Sequence, residues 1–153
     1  MRVTCVYGEP RVENRPAMWS ALQNLKTVID RPWLVVGDFN EAMWNFENMS
    51  ATPRNEAQMV AFTDVLEVCE LVDLGFIGVT FTYDNKRSGA SNVKVRLDRA
   101  VASNDWRNSF AYSSVVHIPS PCSDHIAILV KGSADPGPTW KSNRRYELFW
   151  ERD

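Results

Sequence analysis

Four polar features interrupt the apolar segments of this chain, and each carries side chains able to do chemistry. Gly37-Asp38-Phe39-Asn40 follows the apolar run Trp33-Leu34-Val35-Val36, and Ser123-Asp124-His125 precedes a second run, Ile126 to Val130. Tyr7-Gly8 ends a third, which starts at Val3. Asp98 stands in a segment of alternating polarity, flanked by Arg96 and Arg99. Polar groups at strand ends are poorly placed for a core and well placed to converge at one sheet edge. There, carboxylates could hold a cation or a water, and an imidazole could pass a proton.

Taken singly, each feature has a simpler explanation. An aspartate after a strand is often a turn former that bonds its own backbone. His125 could be a structural hydrogen-bonder, Asp98 could pair with its arginine neighbours, and Tyr7 could be a core aromatic with a wet hydroxyl. Ser123 is not a candidate nucleophile, since nothing around it suggests a strand-to-helix elbow.

The elements that must position these groups follow from periodicity and punctuation. Val3 to Tyr7 reads as a strand ended by Gly8 and Pro10. Asn14-Arg15-Pro16 starts a helix whose Met18, Leu22, Leu25 and Ile29 share a face. Residues 33–36 predict a strand buried on both faces. Glu41 to Arg54 shows no period and reads as a loop. Met59, Phe62, Leu66 and Cys69 mark a second helix, from Asn55 to Val72. Val79 to Tyr83 reads as a strand, Asp84 to Asn92 as a hairpin tip, and Val93 to Val101 as one alternating strand. A short helical turn from Asn104 to Phe110 precedes strands at Tyr112 to Ile118 and Ile126 to Val130. The order predicts an α/β (α+β) fold with helices on largely antiparallel sheets. One domain over residues 1–132 and a C-terminal tail over 133–153 are expected.

Bulk properties fit a globular protein of 153 residues, 44% hydrophobic and 24% charged, long enough for a real core. No run of about 18 apolar residues predicts a membrane span, and the start does not read as a signal peptide. Cys5, Cys69 and Cys122 are odd in number and far apart, and read as reduced, mostly buried thiols of an intracellular protein. The net charge of −2 argues against a protein that coats DNA indiscriminately. Its distribution is uneven. Gly37 to Asp73 holds eight acids and one base, and Lys86 to Arg107 six bases and two acids. The simple reading is two solvated faces of opposite sign. The sharper one is a basic segment on a polyanion and acids around a cation.

The ordered series Tyr7-Gly8, Gly37-Asp38-Phe39-Asn40, Arg96-Leu97-Asp98-Arg99 and Ser123-Asp124-His125 resembles the endonuclease/exonuclease/phosphatase family. That family includes pancreatic deoxyribonuclease and the apurinic-site endonucleases. The resemblance extends to the endonuclease domains of plant LINE-type retrotransposons through Phe81-Thr82-Tyr83-Asp84-Asn85, Asn104-Asp105-Trp106 and the tail Arg145-Tyr146-Glu147-Leu148-Phe149-Trp150.

The resemblance implies a partial four-layer sandwich and Mg²⁺-dependent hydrolysis of a phosphodiester, with Mn²⁺ as a substitute cation and DNA as partner. Asp38 would hold or deprotonate the attacking water, and Asn40 would orient that carboxylate or the phosphate. Asp98 would fix the ring of His125, which would donate to the scissile phosphate, and Tyr7 would bond a phosphate oxygen. Asp124 and Asp38 would hold the metal, while Arg87, Lys94 and Arg96 would contact the nucleic-acid backbone. Phosphatase and sphingomyelinase relatives share this machinery, so another phosphodiester is an alternative substrate.

Relatives also begin with two further strands, one bearing an Asn and the next a metal-binding Glu. Met1 lies only six residues before Tyr7, so both are expected to be missing. That would expose a sheet edge able to pair with a second copy or another protein. The alternative function is an impaired remnant that binds nucleic acid or protein. The expected location is the nucleus or cytoplasm.

Overall fold

Trp33 to Val36 can only be stable where both faces of a strand are covered, and the whole architecture is arranged to cover them. The computed structural model describes residues 1–28 and 30–136. Its elements run β1 (Arg2–Tyr7), α1 (Arg15–Val28), β2 (Trp33–Asp38), β3 (Asn48–Met49), α2 (Glu56–Val68), β4 (Leu71–Asp73), β5 (Tyr83–Asp84), β6 (Lys94–Val95), β7 (Asp98–Ser103), α3 (Asn104–Ser109), β8 (Ser114–Ile118) and β9 (Ala127–Lys131). Ile29 and the aromatic end of the expected tail lie outside the described residues.

The main sheet has the order β1-β2-β7-β4. β1 is parallel to β2, and the other two pairings are antiparallel. A three-stranded sheet, β3-β6-β5, and a hairpin, β8-β9, are antiparallel throughout. The fold is thus mixed α/β with mainly antiparallel sheets, as expected. One face of the main sheet gives Trp33, Val35 and Val101 to a core shared with Trp19 and Leu22 of α1 and Phe62, Val65 and Leu66 of α2. The opposite face gives Leu34, Ala100 and Ala102, which pack on Trp106 of α3 and Val115 of β8. Burying each such large side chain is worth about 1.5–3 kcal/mol.

Several expectations need correction. The alternation from Val93 to Val101 is not one strand. β6 and β7 belong to different sheets, and Arg96, Leu97, Asp98 and Arg99 are all buried around the break between them. Val79 is exposed, and of its predicted strand only Tyr83 falls in β5, which runs on into Asp84 of the expected hairpin tip. The second helix begins as read, with Asn55 Oδ1 accepting from the Ala57 N–H at 2.9 Å. It stops at Val68, because Leu71–Asp73 leaves to pair with β7. Cys69 is buried, but Cys5 and Cys122 are exposed.

The acid-rich stretch is a solvated face only in its second half, where Glu56, Asp64, Glu67 and Glu70 are exposed. Asp38, Glu41 and Glu47 are buried. Glu47 and Asp73 close a ring with two arginines. Arg96 donates to Glu47 Oε1 and Asp73 Oδ1, both at 2.9 Å, and Arg99 donates to Glu47 Oε2 and Asp73 Oδ2, both at 2.8 Å. Burial opposes the charge on Asp73, but Arg96 and Arg99 overcome it and hold its pKa below the usual carboxylate value. Removing one member of such a ring strands its partners. Arg99→Ala is expected to cost about 3–5 kcal/mol in urea unfolding, against no more than about 0.5 kcal/mol for exposed Arg87→Ala.

His117 is buried as well. Its Nδ1 lies 2.6 Å from the Val79 carbonyl, and its ring stacks on Phe76 at 4.4 Å. Burial lowers its pKa from the ordinary 6.5. The unfolded chain therefore takes up this proton at higher pH than the folded one. The contribution is fully present above the unfolded value and is lost as pH falls through 6.5 toward the folded value. Urea midpoints measured from pH 8 to pH 5 should fall more steeply across this window in the wild type than in His117→Gln.

Candidate active site

The ends of β1, β2 and β7 lie side by side, and their register sets the first row of the site. Tyr7 pairs with Asp38, and Asp38 with Asp98. Two glycines permit this close approach. Gly37 has φ of 144°, and a Cβ there would stand 2.0 Å from the Val6 carbonyl oxygen. At Gly8 a Cβ would meet the Phe39 carbonyl carbon at 2.5 Å. The Gly8 N–H donates to the Asp38 carbonyl at 2.6 Å, which locks β1 to the turn after β2.

In that turn Asn40 adopts a left-handed φ of 55°, which asparagine tolerates better than most residues. Its backbone N–H donates to Asp38 Oδ1 at 2.7 Å, and its Nδ2 donates to Asp38 Oδ2 at 3.1 Å and to the Gly8 carbonyl at 2.8 Å. Asp38 is therefore a turn former as well as a candidate site residue. Burial, and then the neighbouring Asp98, push its pKa up against the pull of the Asn40 N–H.

Asp98 opens β7. Its backbone N–H and that of Leu97 both donate to Thr82 Oγ1 at 2.9 Å. Its carboxylate turns away from the flanking arginines, which are engaged by Glu47 and Asp73, and meets His125 Nδ1 at 2.8 Å. An ionised carboxylate only accepts, so Nδ1 carries the proton and Nε2 is left for another partner. Tyr83 braces the ring at 5.1 Å and forms a β-bridge with His125.

Ligand atoms of Asp38, Asp98 and His125 all lie within 4.8 Å of one another, so the three could hold a metal ion. Two carboxylates with no arginine between them, one already held above its usual pKa, suit a cation. A hard ion such as Mg²⁺ would favour the oxygens over the imidazole.

The structure gathers Asp38, Asn40, Asp98 and His125, with Tyr7 in the same row but 84% exposed, which excludes a core role. Asp124 is exposed and stands outside the cluster. Its backbone carbonyl accepts from the Asp84 N–H at 2.9 Å. Arg87 is exposed, and Lys94 pairs with Asp84 at 3.2 Å. Arg96 must be withdrawn from the surface set, because it is 5% exposed and both its terminal nitrogens serve the buried ring.

Three supporting residues escaped the sequence reading. Thr82 was noted only as part of a motif. Arg15 and Glu41 had no signal, although Arg15 donates to both the Glu41 carboxylate and, at 2.9 Å, the Asn40 carbonyl.

Comparison with known proteins agrees with this fold. Among solved structures, the endonuclease domain of TRAS1, a telomere-specific non-LTR retrotransposon, superposes with a TM-score of 0.64 at 17% identity, over 82% of this chain and 54% of that one. The 3′ phosphatase NExo from Neisseria, bound to product DNA hairpin, gives 0.65 at 16% identity over 87% and 61%. The AP endonuclease LMAP from Leishmania major gives 0.56 at 18% over 80% and 45%. The chain thus spans between 45% and 61% of these structures. No curated protein sequence matches it. The sequence profile of the Endonuclease/Exonuclease/phosphatase family matches residues 1–125, four-fifths of the chain and every cluster described above. The chain belongs to that family.

Proposed function

We propose that this chain is a Mg²⁺-dependent phosphodiesterase, a DNA endonuclease of retrotransposon origin whose catalytic domain is residues 1–132 and whose tail is 133–153. The observation that carries the reading is the convergence of Asp38, Asp98 and His125 within 4.8 Å, in line with Tyr7. The solved relatives include a retrotransposon endonuclease domain and an enzyme bound to a DNA hairpin, which supports DNA as substrate. Such a function would place the protein in the nucleus or cytoplasm. Among the described residues no helix is long and apolar enough to cross a membrane.

When bound, the cation would neutralise the phosphate and polarise its oxygen. Asp38 would be its first ligand, and Asp124 would be a further one only if its exposed side chain, which stands outside the cluster, turned toward the ion. Mn²⁺ would serve in place of Mg²⁺. On the protein side, Asp38 takes the proton of the attacking water while Asn40 keeps both of its oxygens aimed. Asp98 holds the His125 ring through Nδ1, so that a protonated Nε2 can donate to the phosphate. The Tyr7 hydroxyl, open to solvent, donates to a second phosphate oxygen. Arg87 and Lys94 contact the strand on either side.

A second reading is an impaired remnant that binds nucleic acid or protein. It draws on the fate of the other acids, since Glu41 and Glu47 are both consumed by arginines and so are unavailable to a cation. Relaxation of supercoiled plasmid in Mg²⁺, with EDTA as control, separates the two. Nicking should fall roughly 10²- to 10⁴-fold in Asp38→Asn and in His125→Ala. A folded wild type that binds plasmid and never nicks it would leave the second reading standing.

The proposed self-association draws on β1, which is an edge of the main sheet with Val3, Cys5 and Tyr7 exposed in alternation. Sedimentation velocity at high concentration should show a dimer. A single monomer boundary would remove edge pairing.

A further inference from the structure

Between two buried carboxylates, this chain turns two aromatic rings toward water. Glu41 is fully buried and accepts from Arg15, from Arg54 at 2.7 Å and from the Ala42 N–H at 2.9 Å. Glu47 is buried in the four-membered ring and also accepts the Met43 N–H at 2.7 Å. Burying a carboxylate is costly unless it is paired. Here both ends of one short loop are fixed that way. The side chains it carries between them, Trp44 and Phe46, are 52% and 62% exposed. Their planes are 9° from parallel, with centroids 6.5 Å apart.

The loop is tied to the reacting groups at both ends. Glu41 directly follows Asn40, and the arginine that holds it also holds the Asn40 carbonyl. Arg99, which holds Glu47, directly follows Asp98. Beyond Phe46 the chain enters β3, which pairs with β6 and so joins the basic hairpin of Lys86, Arg87 and Lys94. A shallow cleft of about 470 Å³ runs between residues 48–51 and the tip of that hairpin, with Asn48, Ser50 and Asn92 among its walls. Met49, Ala51 and Ala90 also line the cleft, but exposed rings joined to amides and to a basic hairpin favour a charged occupant over a purely apolar one. They suit a strand that carries negative charge on its backbone and flat faces on its bases.

We propose that Trp44, backed by Phe46, is a stacking platform for an unpaired nucleobase beside the phosphate to be cut. This rests on the DNA reading above and adds a site to it. Every base has a π face, so the platform is tolerant of sequence and selects for an unstacked base rather than for its identity.

The test is equilibrium binding of a labelled single-stranded oligonucleotide to the full chain in EDTA, where no strand is cut. Trp44→Ala should weaken binding about tenfold, the size of one base–aromatic stack. Trp44→Tyr should restore most of it. On a strand of equal length built from abasic residues, Trp44→Ala should bind as the wild type does. Equal affinity of Trp44→Ala and wild type for the base-containing strand would overturn the proposal and leave the DNA reading intact. So would an equal loss on both strands, or a wild-type dimer that Trp44→Ala converts to a monomer, which would mean that a second copy covers the rings. A wild type that binds neither strand would bring down both the platform and the DNA reading.

Discussion

Two arginines and two carboxylates, closed into a ring with almost no water around it, hold this molecule in register. Arg96 comes from the break between β6 and β7, Arg99 from the start of β7, Asp73 from the end of β4, and Glu47 from the loop after β2. Apart from β7, which is paired on both sides in the main sheet, none of these segments is long enough to define its own position. β3, β5 and β6 have two residues each, well short of an independently stable sheet. The charged ring supplies the geometry that short strands cannot. Phe76 extends it, with Arg96 over one face at 4.7 Å and His117 stacked on the ring at 4.4 Å. Leaving any member unpaired would strand a buried charge, so the arrangement is held as a unit.

That constraint explains the site. Asp98 lies between the two arginines in sequence, yet both are already engaged, so its carboxylate is released for His125. Asp38 has no arginine partner of its own and faces Asp98 across the register. The same chain thus separates the acids of its interior into two kinds. Glu41, Glu47 and Asp73 are neutralised by arginines and support the fold. Asp38 and Asp98 are left without that neutralisation and make the one place among the described residues where a cation would be welcome.

The parts legible in the sequence are those where one local signal suffices. The run at Trp33 could be buried only on two faces, and it is. Gly37-Asp38-Phe39-Asn40 announces a tight turn with a carboxylate at a strand end, and the glycine is required by its φ. The parts that were not legible depend on partners distant in sequence. Arg96 and Glu47 meet across 49 residues, and nothing local distinguishes such an arginine from a surface one. The acids between Gly37 and Asp73 all look alike by count, because a count carries no pairing; it does not separate buried Asp38, Glu41 and Glu47 from exposed Glu56, Asp64, Glu67 and Glu70. Alternation from Val93 to Val101 survived as a pattern through a break between two sheets, since a buried salt bridge places a charged residue where the period expects a polar one. Thr82 was visible only as a motif letter; its hydroxyl gains meaning from two N–H groups that the fold delivers to it.

The mounting of His125 has a consequence for when the site comes into being. The two aspartates belong to neighbouring strands of one sheet, but the imidazole is carried on the segment between β8 and β9 and held by Tyr83 of the small sheet. Its partner is 27 residues away along the chain. The acid pair itself joins Asp38 and Asp98, about 60 residues apart, through the pairing of β2 with β7. Of the two closures it is the costlier in loop entropy, and the histidine contact the cheaper. The cluster therefore exists only when two separate long-range closures are both made, one inside the main sheet and one through the small sheet.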